Sequence, residues 1–432
     1  MIFKAYDIRG IYPEQLNEEI AYKIGQAFVN YVGQNIVIGE DNRLSSKPLF
    51  ESLKEGIIDQ GGNIIHIGEV TSPMLYFATN LFNSDGGIMI TASHNPSNYN
   101  GFKMVTKKAF PLSESNGLKE IEKLVLNNHF DQKKKGTIVS KDITDQYVNS
   151  FEKFQSNLKI VVDTANSSSG IIVPHLLNNF NLIHIFKELD PSFPNHEPNP
   201  LKEENMVFLK EKVLEAKADL GIAFDGDGDR VSFVDEKGNI VSSDLILALV
   251  SSLILKNNPQ QKILYDIRCS SIVKETIEEL SGQAILSRVG HSFIKELMRE
   301  EDILFGGEYS GHYYLKQGDS YFESPYFVIF EILKALESKK MSELIAPFKK
   351  YFHSGEINFE VEDKEGIIKR IENNFKEGKI NCLDGLRIDF EDWWFLLRAS
   401  NTEPVLRLIV ESKSLEKLES KIKEIKSIIL PQ

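Results

Sequence analysis

Three aspartates separated by single glycines, Asp225, Asp227 and Asp229 in DGDGDR, directly follow the apolar run LGIAF. The glycines leave the backbone free to turn several carboxylates toward one point. Carboxylates this close raise one another's pKa unless a cation sits among them, and oxygen donors at this density suit Mg²⁺. The alternative is an acidic surface turn; Phe224, at the end of an apolar run, weighs against it. An EF-hand is excluded, because that loop needs a glutamate farther downstream and flanking helices. In TASHNP, Ser93 stands beside His94 and Asn95-Pro96 forces a turn. A serine hydroxyl is a poor nucleophile until it is activated or modified, and on its own the loop also suits a strand end with a capping serine. A serine hydrolase is disfavoured, since no G-x-S-x-G elbow is present.

Two further loops suit anions and sugars. RASNTEP offers Arg398, Ser400, Asn401 and Thr402, with Arg407 on the following run. An arginine fork with hydroxyls and backbone amides fits a dianionic phosphate, although a capped turn with a solvated arginine is the other reading. GGEYSGH offers Glu308 as acceptor and Ser310 as donor for sugar hydroxyls, together with His312, whose ordinary pKa lies near neutrality.

The elements that must position these loops alternate. Leu16, Ile20, Ile24, Phe28 and Val32 make a helical stripe, followed by short apolar runs at 36–38, 64–67 and 87–90 with helices between them. The pattern returns at 159–224 and at 262–305. Apolar runs of this kind suit strands covered on both faces in a largely parallel sheet. Each third strand runs into one of the polar loops, at the sheet edge where ligands gather in open α/β folds. From about residue 352 the pattern becomes α+β, with strands predicted at 357–363, 386–390, 393–400 and 405–412 and a closing helix over 415–430. The expectation is α/β: three related mixed or parallel-sheet domains (1–138, 139–240 and 241–352) and a smaller C-terminal α+β domain (353–432) around a central cleft.

The 432-residue chain carries 50 Lys plus Arg against 63 Asp plus Glu, a net charge of −13. That balance argues against a nucleic-acid or anionic-membrane surface. Cys269 and Cys382 stand alone, without zinc spacing, so no disulfide framework arises and two buried thiols are expected. No secretory signal is visible, and the apolar stretch 245–255 is too short to span a bilayer. A cytoplasmic protein is expected.

In this order the motifs resemble those of the α-D-phosphohexomutase superfamily, closest to its phosphomannomutase/phosphoglucomutase branch, over essentially the whole chain. The resemblance implies that Ser93 becomes phosphoserine and that Ser93, Asp225, Asp227 and Asp229 hold Mg²⁺. It implies sugar contacts at Glu308 and Ser310, and a phosphate clamp of Arg398, Ser400, Asn401, Thr402 and Arg407. FKAYDIRG supplies Arg9, GFK supplies Lys103, and VGHSFIK supplies His291 and Lys295. His94, Arg230 and His312 join the catalytic set; Arg268 and Arg288 join the substrate-binding set. GEDNRLSS resembles another stretch of the family, without an assigned role.

The implied reaction shifts phosphate between C1 and C6 of mannose or glucose phosphate, with a hexose 1,6-bisphosphate as intermediate and activator. A small phosphosugar is the only partner implied, with no nucleic acid, membrane or obligate protein, and the chain is expected as a monomer or weak dimer. Phosphoglucosamine mutase is an alternative, although its loop usually reads GEQSGH where this chain has Tyr309. A noncatalytic sugar-phosphate-binding protein is the alternative of another class. Arg268 in place of a common lysine and ESPYF at 323–327 are further departures, and they leave sugar preference open.

Overall fold

The computed structural model describes residues 2–131, 133–399 and 405–430. These form two compact units: residues 1–243 with 290–306 and 310–344, and residues 244–289 with 307–309 and 345–432.

In the first unit, a sheet runs in the order Ile8–Ile11, Tyr99–Thr106, Gly86–Ile90, Asn35–Glu40, Asn63–Glu69, Ile138–Ser140, with Phe110–Pro111 paired beside Tyr99–Thr106. Its central strands are parallel, while Tyr99–Thr106 lies antiparallel to Ile8–Ile11 and Gly86–Ile90. Helix Glu18–Val32 begins where Asn17 accepts a hydrogen bond from the Ile20 amide at 3.1 Å, and Glu18 and Glu19 suit the positive end of the helix. It packs backbone to backbone on helix Ser46–Asp59: a Cβ added at Gly25 would lie 2.4 Å from the Leu53 carbonyl oxygen, and one at Gly56 2.0 Å from that of Tyr22. Only glycine permits that approach.

A second sheet in this unit runs Ile240–Val241, Val231–Val234, Leu220–Phe224, Lys159–Asp163, Asn181–Ile185. Its last three strands are parallel, and the hairpin strand Val231–Val234 returns antiparallel along Leu220–Phe224. The same unit holds the hairpin Tyr313–Gln317 and Ser320–Glu323.

The second unit contains the parallel pair Lys262–Asp266 and Gln283–Ser287. It also contains an antiparallel sheet in the order Phe352–His353, Val405–Ser412, Trp393–Ala399, Leu386–Asp389, Lys379–Asn381, with Ile357–Glu360 also on Val405–Ser412. Helices Lys364–Asn374 and Leu415–Ile429 close a core that includes Ile371, Ile388, Phe395, Leu408 and Ile425.

The expectation of two buried thiols needs correction. Cys269 is buried, but Cys382 is exposed just after the short strand Lys379–Asn381, where no core lies over it. The stretch 245–255 falls within helix Ser243–Asn257, and among the described residues no helix is long and apolar enough to cross a membrane.

Candidate active site

Strand Gly86–Ile90 is buried throughout and delivers the chain to Ser93. Ser93 has φ 52°, a left-handed conformation uncommon outside glycine. Its amide donates to Thr91 Oγ1 at 2.9 Å, and its hydroxyl donates to Asp225 Oδ2 at 2.7 Å and lies 3.2 Å from His94 Nδ1. Arg43 holds the loop from behind. Its Nη2 donates to the carbonyls of Ser93 and Asn95, both at 2.7 Å, and its Nη1 to those of Pro96 at 2.6 Å and Tyr99 at 3.1 Å, while Nε reaches Asp41. Arg9 donates to Asn95 Oδ1 at 2.7 Å and pairs with Asp7. Burial, and after it Arg230, Arg9 and Lys103, hold the His94 imidazole well below its usual range.

The three aspartates are buried, and each offers one carboxylate oxygen within 4.8 Å of the others. Asp225 Oδ1 accepts from the amides of Asp229 at 3.1 Å and Arg230 at 3.2 Å, so the loop's own backbone orients it. Lys103 Nζ donates to Asp227 Oδ2 at 2.6 Å and Asp229 Oδ2 at 2.5 Å. Burial pulls the Lys103 ammonium down, but Asp227 and Asp229 outweigh it and hold it well above the lysine range. Asp225 is pushed up, by burial first and then by Asp229 and Asp227. Burial also opposes ionisation of Asp229, yet Lys103, then His312 and Arg230, keep its carboxyl low. Asp227 Oδ1 is buried without a hydrogen-bond partner among the described residues. Leaving such an oxygen unmatched is costly, and three close carboxylates with a free acceptor fit a hard cation. His312 Nε2 lies 3.1 Å from Arg230 Nε and 3.3 Å from Asp229 Oδ1, and its Nδ1 lies 3.1 Å from Ser310 Oγ. Ser93, Arg9, His94, Lys103, Arg230, His312 and the aspartates are thus gathered in one unit.

Also in this unit, Lys295 is fully buried and donates to both oxygens of Glu323 at 2.9 Å, with Nζ 4.6 Å from the centre of the Tyr76 ring. His291 Nδ1 lies 3.6 Å from Glu323 Oε1. Burial, followed by Lys295 and Lys103, holds His291 well below its usual pKa.

The remaining candidates belong to the second unit. Asp266 receives Arg268 Nη2 at 2.7 Å and the Tyr309 amide at 2.9 Å. Arg268 also lies 3.6 Å from Glu308 and 3.7 Å from Glu356, and Glu356 lies 3.9 Å from Arg407. Arg398 pairs with Asp384 at 3.1 Å, and Arg288 is exposed at the end of strand Gln283–Ser287. Ser400, Asn401 and Thr402 lie outside the described residues.

Sequence reasoning missed the supporting side chains. Asp41 and Arg43 were signalled by GEDNRLSS, but nothing in that string says that the arginine gathers four carbonyls of the serine loop. Glu323 lies in ESPYF and Asp266 stands two residues before Arg268, but nothing in those strings says that Glu323 receives Lys295, 28 residues away, or that Asp266 accepts from the Tyr309 amide as well as from Arg268.

Profiles of the phosphoglucomutase/phosphomannomutase family match the chain in order: alpha/beta/alpha domain I over residues 1–132, domain II over 140–238, domain III over 242–351, and the C-terminal domain over 356–427. A phosphomannomutase of Methanocaldococcus jannaschii is 41% identical, covering 99% of this chain and 97% of that protein. A phosphomannomutase/phosphoglucomutase of Pseudomonas syringae pv. tomato is 37% identical, covering 97% of this chain and 92% of that protein. The crystal structure of a phosphoglucomutase/phosphomannomutase family protein from Burkholderia thailandensis superposes with a TM-score of 0.91 at 30% identity, covering 100% of this chain and 98% of that one. The expected four tandem domains, three α/β and one C-terminal, are borne out.

Proposed function

Because the chain belongs to the phosphoglucomutase/phosphomannomutase family, it is a reversible hexose-phosphate mutase, and we propose that Ser93 carries the phosphoryl group in transit. A hydroxyl oxygen of hexose 1- or 6-phosphate attacks phosphorus on Ser93. The new P–O bond forms as the P–Oγ bond breaks, and in the net step the proton given up by the sugar hydroxyl is returned to Ser93 Oγ as it leaves phosphorus. The resulting 1,6-bisphosphate is presented by its other end, and Ser93 Oγ takes that phosphate back. Mg²⁺, when bound by Asp225, Asp227 and Asp229 beside Ser93, supplies positive charge that offsets the anionic phosphoryl oxygens.

Lys103, held between two carboxylates, remains an ammonium and contributes charge. Arg9, fixed by Asp7 and Asn95, is too basic to carry a proton and acts electrostatically. Arg230, His94 and His312 complete this end of the site. Glu308 and Ser310 are assigned to sugar hydroxyls, with His291, Lys295, Arg268 and Arg288 supporting substrate. Arg398, Ser400, Asn401, Thr402 and Arg407 are assigned to the distal phosphate. Mannose and glucose phosphates are the proposed substrates, and the cytoplasm the proposed location.

The observation that carries this reading is the 2.7 Å bond from Ser93 Oγ to a buried carboxylate of the metal-type triplet. It is tested by incubating the protein with glucose 1,6-bisphosphate and mapping phosphate by mass spectrometry, alongside turnover of Ser93→Ala. Phosphate on the Ser93 peptide and loss of turnover in S93A are expected. Near-wild-type turnover in S93A would sink the covalent carrier. Full activity after exhaustive chelation would sink the metal assignment.

A further inference from the structure

The aspartate loop is held from outside by the start of helix Ser72–Leu81, whose N-cap is Thr71. The Ser72 amide donates to the Asp227 carbonyl at 2.8 Å, and the Ser72 hydroxyl donates to Asp227 Oδ2 at 2.5 Å. Both bonds bring together residues 155 apart in sequence, and Ser72 is fully buried. Pro73 follows and has no N–H to give. In this turn the Ser72 hydroxyl is the side-chain donor that reaches the carboxylate. The backbone beneath is equally close. Gly228 has φ 68°, and a Cβ there would lie 2.4 Å from Ser169 Oγ and 2.9 Å from Thr71 Cγ2, so the loop is pressed directly onto the Thr71–Ser72 turn.

The two oxygens of Asp227 are consequently unequal. Oδ2 accepts from both Ser72 and Lys103, at 2.5 and 2.6 Å. Oδ1 is buried and accepts from nothing among the described residues. A carboxylate free to rotate would exchange these oxygens; one pinned through Oδ2 keeps Oδ1 facing a single direction. Lys103 cannot enforce this alone, because its ammonium is shared with Asp229 and its bonds lack the fixed lever arm of a helix backbone.

We propose that Ser72 is a positioning residue for the divalent cation: by holding Asp227 Oδ2, it reserves Asp227 Oδ1 for the metal. The proposal rests on the metal reading given above and adds a residue from a different domain to it. Groups that orient a metal's ligands typically change affinity about 10- to 100-fold when removed.

The test is calorimetric titration of Mg²⁺ into chelator-treated wild type, Ser72→Ala, Ser72→Thr and Asp227→Asn, with Mn²⁺ titration followed by electron paramagnetic resonance as a second readout and a melting curve for each protein. S72A is expected to bind either ion about 10-fold or more weakly than wild type, while S72T, which keeps the hydroxyl, stays near wild type. A merely structural serine would lower the melting temperature of S72A and leave its metal affinity unchanged; that outcome overturns the proposal. If S72A does not fold, S72T still decides: a weakened affinity in folded S72T, with its hydroxyl present, also overturns it. Failure of the underlying metal reading looks different, since wild type and D227N would then bind the cation equally weakly.

Discussion

At the scale of single residues, Arg43 decides where Ser93 sits: its fork satisfies four carbonyls of the serine loop and one carboxylate, a task set by the folded path of the loop. Lysine, with three donors on a flexible stem, cannot reproduce it. Arg43→Lys is expected to lower kcat about 100-fold through misplacement of Ser93, with a small change in KM; steady-state kinetics check this, and an unchanged kcat contradicts it. Ser93 and the aspartates were legible in the sequence because their chemistry is written in their types and spacing, whereas the task of Arg43 shows only in the fold. Tyr309 stands where the phosphoglucosamine mutase loop usually has glutamine. Its ring stacks on His353 with centroids 5.0 Å apart, and His353 is itself fixed by the Arg268 carbonyl and the Gly355 amide. The side chain is thus committed to packing. Tyr309→Gln is expected to cost about 0.5–1.5 kcal/mol of stability, the worth of an aromatic pair, and to leave the ratio of glucosamine to glucose phosphate turnover unchanged. A narrowing of that ratio would contradict this and make Tyr309 a selectivity residue.

At the scale of elements, the repeated pattern placed at 159–224 and 262–305 is realised as strands at 159–163, 220–224 and 262–266. Unbroken apolar runs announce burial on both faces. The antiparallel additions, such as Ile8–Ile11 and Val231–Val234, were less visible, since four residues carry little periodicity and their pairing is decided by the hairpin geometry around them. One loop crossing is fixed by charge. His196 Nε2 lies 3.0 Å from Asp163 Oδ2 at the end of a central strand, and its Nδ1 lies 2.8 Å from the Glu197 carbonyl. Burial lowers the His196 pKa, but the bond and charge of Asp163 outweigh it, and the net shift is upward. A histidine raised above its unfolded value of about 6.5 stabilises the fold fully below that pH and loses the contribution as pH rises through the folded pKa. Urea unfolding of wild type and His196→Gln should therefore differ more at pH 6 than at pH 9; a gap that is constant or grows with pH would contradict the ion pair.

At the scale of the whole molecule, the expected preference among phosphosugars follows from what the assigned groups can read. By resemblance, Glu308 and Ser310 are proposed to hold the C3 and C4 hydroxyls, and glucose and mannose differ only in the orientation of the hydroxyl at C2. Rates for their phosphates are expected within an order of magnitude. Glucosamine places an amine there, and desolvating it without a partner costs about 1–3 kcal/mol, or about 5- to 150-fold in rate. Comparison of kcat/KM for the three phosphates decides the matter; preference for glucosamine phosphate would overturn the substrate proposal and leave the phosphoserine chemistry standing. The two thiols lead somewhere else. With Cys269 sealed in the interior and Cys382 open to solvent, the native protein carries one addressable sulfur. Ellman's reagent should titrate one thiol before denaturation and two after. A maleimide dye would then mark the C-terminal portion at a single point, with no engineered cysteine required.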